Sequence, residues 1–255
     1  MNKPHAVVPD VALGSVDEDD PALPASRPTP VQSVPEIPEY LRKVYTWAYL
    51  TPAYSRYLDT SLVVSAILWG NMNRLMRAGF SEFAPGQSVL QPACVYGSFS
   101  ARLAERVQPD GHLHVTDVAA NQVEACRAKL ANFPNTTVGF ADAAQPRDRD
   151  YQGICCFFLL HEVPEDYKRR IVDSLLAATR PGGKTVFVDY HGPHWAHPLR
   201  PIMLLVWRLL EPYAIALSKN EIRSYASKDL ADAFTWRKET YFGGLYQKVV
   251  AERSL

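Results

Sequence analysis

The sequence predicts an α/β fold, in which a doubly wound parallel sheet is preceded by a helical extension and closed by a C-terminal β-hairpin. Three observations predict it. Apolar runs of strand length alternate with helical patterns from about residue 87 onward. The first run, Val89–Val95, leads through a turn at Tyr96-Gly97 into a helical pattern, as in the first unit of a nucleotide-binding sheet. Two alternating runs joined at Gly243-Gly244 end the chain and indicate the hairpin.

The composition is that of a globular protein without an electrostatic footprint for nucleic acid. Of the 255 residues 47% are hydrophobic, and 27 basic residues balance 27 acidic ones, whereas nucleic-acid-binding domains usually carry a basic excess. The four cysteines, Cys94, Cys126, Cys155 and Cys156, have neither metal-ligand nor redox spacing, which favours a reducing cytoplasm. The N-terminal segment is acidic and Pro-rich, so no signal peptide or mitochondrial presequence is indicated.

Three regions are expected along the chain. Residues 1–38 hold eight of the 20 prolines and an acidic cluster, so we expect a disordered tail. Residues 39–83 are expected to form the helical extension, with helices at Glu39–Leu50 and from Ala53 to about Ala78. Residues 84–255 are expected to form the sheet domain, with a hydrophobic insertion at 192–225.

Within the sheet domain, strand and helix patterns follow one another regularly. After the first strand, strands are predicted at His112–Asp117, Thr137–Phe140, Ile154–Leu160, Thr185–Tyr190, Trp236–Tyr241 and Tyr246–Ala251. Helices are predicted at Ser98–Val107, Asn121–Ala131, Glu165–Thr179 and Ser227–Ala233. The stretch Arg180-Pro-Gly-Gly183 is a stop signal for the third of these helices.

The loop after the first strand is the candidate cofactor site. Of the glycines usual in such a loop, Gly97 is present, and it permits close approach of the backbone to a ligand at a helix N-terminus. The position at which an acidic residue is usual holds Gln91 instead. Gln91, Ala93 and Tyr96 are therefore predicted, with Gly97, to contact the cofactor.

Two carboxylates at neighbouring strand ends complete the predicted cofactor site. Asp117 ends the second strand about 20 residues past the loop, where an acidic side chain binds ribose hydroxyls. Asp142 and Ala143 follow the third strand, where an adenine ring is expected. A solvated strand-end aspartate and a simple turn aspartate are the alternatives.

Three further residues at the same edge are predicted to be catalytic. His161 ends the fourth predicted strand, and Asp189 and His191 end the fifth; ligands bind at this edge of such sheets. A purely structural role for His161 has equal weight. His194 and His197 continue a three-residue spacing, but the neighbouring prolines oppose a regular helix there and favour a structural loop over a metal site.

The insertion is nearly all apolar from Leu199 to Leu217. Its charges, Arg200, Arg208 and Glu211, fall on one narrow stripe of a helix. A membrane span is not expected, because the segment is broken by a proline and these charges. A helix packed in the core and an interfacial helix suited to a lipid substrate both remain open.

The first-strand motif resembles that of class I S-adenosylmethionine (SAM) methyltransferases, a Rossmann-like fold whose quinone-ring methyltransferases are the nearest general relatives. That motif reads acidic-x-Gly-x-Gly-x-Gly, and its positions here are Gln91, Ala93, Val95 and Gly97. More specifically, the chain resembles the rhodoquinone biosynthesis protein family (RquA). The stretches that carry this resemblance are 41–49, 67–71, 93–97, 157–162, 188–191 and 196–201.

The resemblance implies conversion of ubiquinone to rhodoquinone, a quinone of anaerobic respiration, by replacement of a ring methoxy group with an amino group. It implies SAM as the amino donor and a divalent metal, manganese, as an aid, without indicating the metal ligands. It also implies a bacterial, cytoplasmic protein in peripheral contact with the inner membrane, where its lipid quinone resides.

Independent chemistry agrees with this implication. An amine must be neutral to displace methanol from a methoxyquinone, and a carboxylate beside the SAM ammonium would keep it protonated. Gln91 removes that charge, and His161 or His191 could polarise the quinone carbonyl. Three hypotheses are ranked in this order: amination, conventional SAM-dependent methylation of a quinone or other hydrophobic ring, and a membrane-associated scaffold that no longer binds SAM.

Overall fold

The computed structural model describes residues 38, 39, 65–147 and 150–255. The predicted tail up to residue 37 and the predicted helices between residues 40 and 64 lie outside the described residues. The strands are β1 (Ser88–Gln91), β2 (His112–Asp117), β3 (Thr136–Phe140), β4 (Tyr151–Phe157), β5 (Thr179–Tyr190), β6 (Phe234–Tyr241) and β7 (Tyr246–Arg253). The α-helices are α1 (Met72–Phe80), α2 (Phe99–Val107), α3 (Ala120–Leu130), α4 (Glu165–Ala177), α5 (Arg200–Leu209), α6 (Ala214–Leu217) and α7 (Lys228–Asp232).

The described strands form one mixed sheet in the order β3-β2-β1-β4-β5-β7-β6. Strands β1 to β5 pair in parallel, whereas β7 is antiparallel to both β5 and β6. The strand order changes direction between β1 and β4, and ligands bind outside the carboxyl ends of the strands at such a switch point. The structure therefore confirms the Rossmann-like doubly wound fold and its C-terminal hairpin.

Helices cover both faces of the sheet and make two core layers. Successive residues of β5 point to opposite faces: Val186 and Val188 pack in one cluster, and Phe187 packs in the other. The first layer also takes the buried sides of α1, α2, α3 and α5, and the second takes that of α4. The buried face of α5 is thus part of the core.

Most predicted boundaries are confirmed to within one or two residues, but two strands end earlier than predicted. Strands β4 and β5 also begin three and six residues earlier than predicted, so the predicted stop signal at 180–183 lies within β5. Strand β1 ends at Gln91 instead of Val95, because Pro92 has no N–H to donate to the parallel ladder. Strand β4 ends at Phe157 instead of Leu160, and a 3₁₀ turn, Leu160–Glu162, follows it. His161 consequently lies in this turn and not on the strand.

The predicted helix that was to end near Ala78 is interrupted. Trp69 and Gly70 have φ angles of 51° and 76°, and the Gly70 N–H donates to the Ser65 carbonyl at 2.7 Å. A left-handed glycine with such a backward bond ends a helix. Helix α1 then starts at Met72 and continues to Phe80.

The insertion holds two helices, α5 and α6, followed by a 3₁₀ turn at Ile222–Tyr225. On α5, Met203 and Trp207 are buried, whereas Leu205 and Leu209 are exposed. The core alternative is therefore confirmed for one face of the helix, and the interfacial alternative stays a prediction. Within the described residues, no helix has the length and apolar character to cross a membrane.

Candidate functional site

The loop between β1 and α2 is tied to the end of β2. The Cys94 N–H donates to Asp117 Oδ2 at 2.8 Å, and the Ala119 N–H donates to Asp117 Oδ1 at 2.9 Å. Burial raises the pKa of Asp117, and these backbone donors oppose that rise. Gly97 has a φ of 75°, a left-handed conformation that glycine adopts without steric cost. The loop thus has the tight turn that the sequence predicts, and Asp117 lies beside it.

Gln91 is buried at the base of this loop. Its Nε2 donates to the Ala93 carbonyl at 2.8 Å and to Ser100 Oγ at 2.9 Å. Its Oε1 is buried without a hydrogen-bond partner among the described residues. Such an atom is uncommon in folded proteins and calls for a donor. A ligand amino group is one donor that would satisfy it.

A small cavity of about 40 Å³ adjoins the loop. The residues lining it include Met72, Asn73 and Met76 from α1 and Tyr96, Gly97 and Ser98 from the loop. The Tyr96 hydroxyl accepts a hydrogen bond from Gln122 Nε2 at 3.2 Å, which holds its ring beside the cavity. Helix α1, from the predicted extension, therefore forms a wall of the candidate cofactor site.

Asp142 lies beyond the end of β3, beside Ala143. Its Oδ1 accepts from the Ala144 N–H at 2.8 Å, and its Oδ2 accepts from the Tyr167 hydroxyl at 2.7 Å. Burial and this carboxylate together raise the pKa of Tyr167 to about 12. Asp117 and Asp142 thus end adjacent strands, as predicted, and each is already oriented by protein donors. Their ribose and adenine roles stay predictions.

His161 and Asp189 meet across the ends of β4 and β5. His161 Nδ1 lies 2.8 Å from Asp189 Oδ1, while Asp189 Oδ2 accepts from the Leu160 N–H at 2.9 Å. Both side chains are almost fully buried. The aspartate therefore fixes the 3₁₀ turn and the imidazole orientation together.

Two more carboxylates approach the other ring nitrogen. His161 Nε2 lies 3.7 Å from Glu162 Oε1 and 3.6 Å from Glu211 Oε2, distances longer than a hydrogen bond. Burial lowers the pKa of His161, but Asp189, Glu211 and Glu162 outweigh it and raise that pKa to about 9. His161 is therefore an imidazolium at neutral pH, and its Nε2 faces Glu162 and Glu211.

An aromatic wall stands next to this imidazolium. The Tyr190 ring lies 4.8 Å from that of His161, 5.4 Å from that of Trp207 and 5.8 Å from that of Tyr246, measured between centroids. Trp207 Nε1 and the Tyr246 hydroxyl are buried without a hydrogen-bond partner among the described residues. The wall connects α5 to the strand ends.

The structure does not place His191 with His161. His191 Nδ1 bonds the Gly244 carbonyl at 2.8 Å, and its Nε2 lies 3.2 Å from Lys238 Nζ. His194 and His197 accept local backbone N–H bonds through Nδ1, as in an ordinary loop. The predicted catalytic set is thus divided: His161 and Asp189 form one pair, and His191 has different partners.

Sequence reasoning did not bring four residues of this site together. Glu162 follows His161 directly, so adjacency could have flagged it. Tyr190 and Trp207 stand in apolar runs whose composition gives no sign of a ligand site. Glu211 was predicted to lie on the charged stripe of the insertion helix. Its position beside His161 was not predicted, because the two residues are 50 positions apart and no local sequence pattern connects them.

Residues 89–183 match the family described as a methyltransferase domain. No curated protein matches the chain. Among solved structures, it is similar to a possible exported protein from Bordetella parapertussis, at 16% identity and a TM-score of 0.58 over 82% of this chain and 81% of that one. It is also similar to an O-methyltransferase family protein from Burkholderia thailandensis, at 12% identity and a TM-score of 0.59 over 79% of this chain and 59% of that one. A third similar structure is a SAM-dependent methyltransferase from Aquifex aeolicus, at 16% identity and a TM-score of 0.53 over 79% of this chain and 97% of that one.

The chain therefore has the α/β Rossmann-like methyltransferase fold, and residues 89–183 match a methyltransferase domain. The site fits SAM, because the loop offers a left-handed glycine, an orphaned buried acceptor on Gln91 and the strand-end carboxylate of Asp117. A metal does not fit in the same way. Among the described residues, no group of three or more His, Cys, Asp and Glu side chains is arranged to hold one.

Proposed function

We propose that the chain is a SAM-dependent transferase that acts on a hydrophobic ring bearing an oxygen, in the manner of a conventional methyltransferase. The methyltransferase domain and the fit of the β1–α2 loop to SAM support the donor half of this proposal. The observation that carries the acceptor half is the buried His161 imidazolium at the carboxyl ends of β4 and β5, beside aromatic rings.

When bound, SAM supplies an electrophilic methyl group. On the acceptor side, Tyr190 and Phe158 give an apolar surface against which a flat ring packs. His161 donates through Nε2–H to the ring oxygen and stabilises its anionic form, which is the better nucleophile. Asp189 holds the imidazole through Nδ1, so the donor keeps its direction.

Because the His161 pKa is about 9, this residue acts as a hydrogen-bond donor at neutral pH and not as a general base. The acceptor proton then leaves through water or through a neighbouring carboxylate such as Glu211. Rate should therefore fall as the pH rises through about 9, because the imidazolium is lost.

Gln91 favours a second candidate, the replacement of a ubiquinone methoxy group by an amino group derived from SAM. Its Oε1 is a neutral acceptor. An ammonium group bound there would have a lower pKa than one beside a carboxylate, so more of it would be the neutral amine. The same His161 Nε2–H would then polarise the quinone carbonyl as the nitrogen bonds to the ring and the methoxy group leaves as methanol. Release of the amino-quinone would further require the bond between that nitrogen and its former α-carbon to break, with loss of a proton from the adjacent carbon as a double bond forms there. A lipid quinone acceptor suits both candidates.

One assay separates the candidates. The protein is incubated with ubiquinone or a hydroxylated ring precursor and with SAM that carries ¹³C in the methyl group and ¹⁵N in the amino group. The masses of the extracted quinones are then measured by mass spectrometry. Methylation adds the ¹³C methyl, amination replaces a methoxy group with ¹⁵N amine, and a scaffold leaves every acceptor unchanged. His161→Gln should lower transfer, whereas His194→Gln, at an exposed loop histidine, should not.

A further inference from the structure

We infer that the exposed face of α5 is a docking surface for an anionic lipid bilayer, from which the acceptor reaches the site. The inference rests on the proposed function only for the identity of the acceptor. Docking itself stands on the surface described below and is measured without SAM or acceptor, so either idea can fail alone.

Helix α5 has two apolar faces. Met203 and Trp207, four residues apart, are 2% and 0% exposed and belong to the core. Ile202, Leu205 and Leu209 recur at i, i+3 and i+7 and are 46%, 57% and 68% exposed. A helix of a water-exposed surface ordinarily turns polar residues to that side. The stripe of large aliphatic side chains therefore needs an apolar partner.

The exposed stripe continues beyond the helix. Trp69 Nε1 donates to Met203 Sδ at 3.3 Å, so Trp69 lies against α5, and it is 40% exposed. Ile67, two residues earlier, is 50% exposed. The apolar patch comprises Ile67, Trp69, Ile202, Leu204, Leu205, Leu209 and Leu210. Contiguous apolar patches of this kind mark interaction sites.

The charges beside the patch are positive. Arg200 and Arg208, at the two ends of α5, are exposed, and neither takes part in an ion pair within residues 65–147 and 150–255. Glu211, the acidic residue of the segment, turns inward to His161 instead. Long arginine side chains reach from an apolar boundary to phosphate groups. The charge pattern therefore complements an anionic lipid surface.

The combination of a flat apolar stripe and flanking basic residues is that of an interfacial helix. Apolar burial and attraction to anionic lipids act together on such a helix, and neither suffices alone for firm binding. The buried face of the same helix contacts the site through Trp207 and Tyr190. A bilayer docked on the exposed face of α5 would thus lie one helix thickness from the aromatic wall next to His161.

The test is co-sedimentation of the full chain with vesicles, using phosphatidylcholine alone or phosphatidylcholine mixed with phosphatidylglycerol. Wild-type protein should bind the mixed vesicles and lose affinity as salt rises. Leu205→Asp combined with Leu209→Asp should lower affinity about a hundredfold or more, since each leucine is worth about tenfold or more. Leu255→Asp, at an exposed terminal leucine, is the matched control and should bind normally.

A second variant acts through charge alone. Arg200→Gln with Arg208→Gln should lower affinity for the mixed vesicles by about fivefold per arginine and leave the weak binding to neutral vesicles unchanged. Wild-type protein that fails to bind the mixed vesicles would overturn the inference, and so would a folded Leu205→Asp/Leu209→Asp protein that binds as well as wild type. Light scattering that shows a dimer abolished by the leucine variants, without vesicle binding, would assign the patch to a second copy of the chain.

Discussion

The pKa of His161 should lie far above the usual range for histidine. Both the free energy of unfolding and the proposed hydrogen-bond donation by His161 depend on this pKa. Its pKa is raised from 6.5 to about 9 in the folded chain, a difference of about 2.5 that corresponds to about 3 kcal/mol. Since the folded pKa is the higher one, this stability is fully present below about pH 6.5 and is lost as the pH rises through about 9.

The measurement compares wild type with His161→Gln. Urea unfolding at about pH 6 and at about pH 9.5 should show wild type losing up to about 3 kcal/mol more than the variant, because other titrating groups are common to both. An NMR titration of the imidazole Cε1–H reports the pKa directly. A His161 resonance that titrates at or below 6.5 would refute the reasoning.

Glu211→Gln tests the cause of the raised pKa. It removes one carboxylate 3.6 Å from Nε2 and leaves the Asp189 backbone bonds intact, so the His161 pKa should fall while the fold persists. Glu105→Gln, at an exposed helix position, is the control and should leave the pKa unchanged. Asp189→Asn is less suitable, because its amide would face the N–H groups of Leu160 and Tyr190.

Three further predictions concern the cofactor site and the insertion. Asp117→Ala should weaken SAM binding by about 1–3 kcal/mol in calorimetry, and unchanged affinity in a folded variant would move the ribose site elsewhere. Gln91→Asp should still bind SAM but should suppress any amination, with partial rescue at higher pH, because a carboxylate keeps the amino group protonated; normal amination by that variant would sink this idea. Lys168 donates to the carbonyls of Val163 and Tyr213 at 2.9 and 3.0 Å. Lys168→Met should therefore lower the free energy of unfolding by about 1–3 kcal/mol and speed amide hydrogen exchange near α6. Exchange at the wild-type rate in that variant would show that these two hydrogen bonds do not stabilise α6.

Local sequence patterns predicted the parts of the fold that local physics decides. Strand β2 has the predicted bounds, and the hairpin runs of β6 and β7 start or end within two residues of prediction. Each is an alternating or apolar run bounded by turn residues, and such a run carries its own signal. The parallel pairing of β1 to β5 then follows from regular βα alternation.

The missed features depend on partners far away in the sequence. The end of β4 was placed too late because Asp189, 29 residues from Leu160, captures the N–H groups that would have continued the strand. On α5, Trp207 and Leu205 are equally apolar, so periodicity alone assigns neither to the core nor to the surface. Likewise, His161 and His191 look equivalent at predicted strand ends, and the pairing with Asp189 distinguishes them.

The central claim is that the β1–α2 loop binds SAM, and calorimetric titration of SAM into two glycine variants tests it most directly. Gly97 and Gly86 have φ angles of 75° and 84°, so alanine strains the backbone at both by a similar amount, about 1 kcal/mol or more. Wild type should bind SAM at one site, Gly97→Ala should bind it far more weakly, and Gly86→Ala, on the other side of β1, should bind it as wild type does. Absence of SAM binding by wild type, or equal binding by the two variants, would contradict the account.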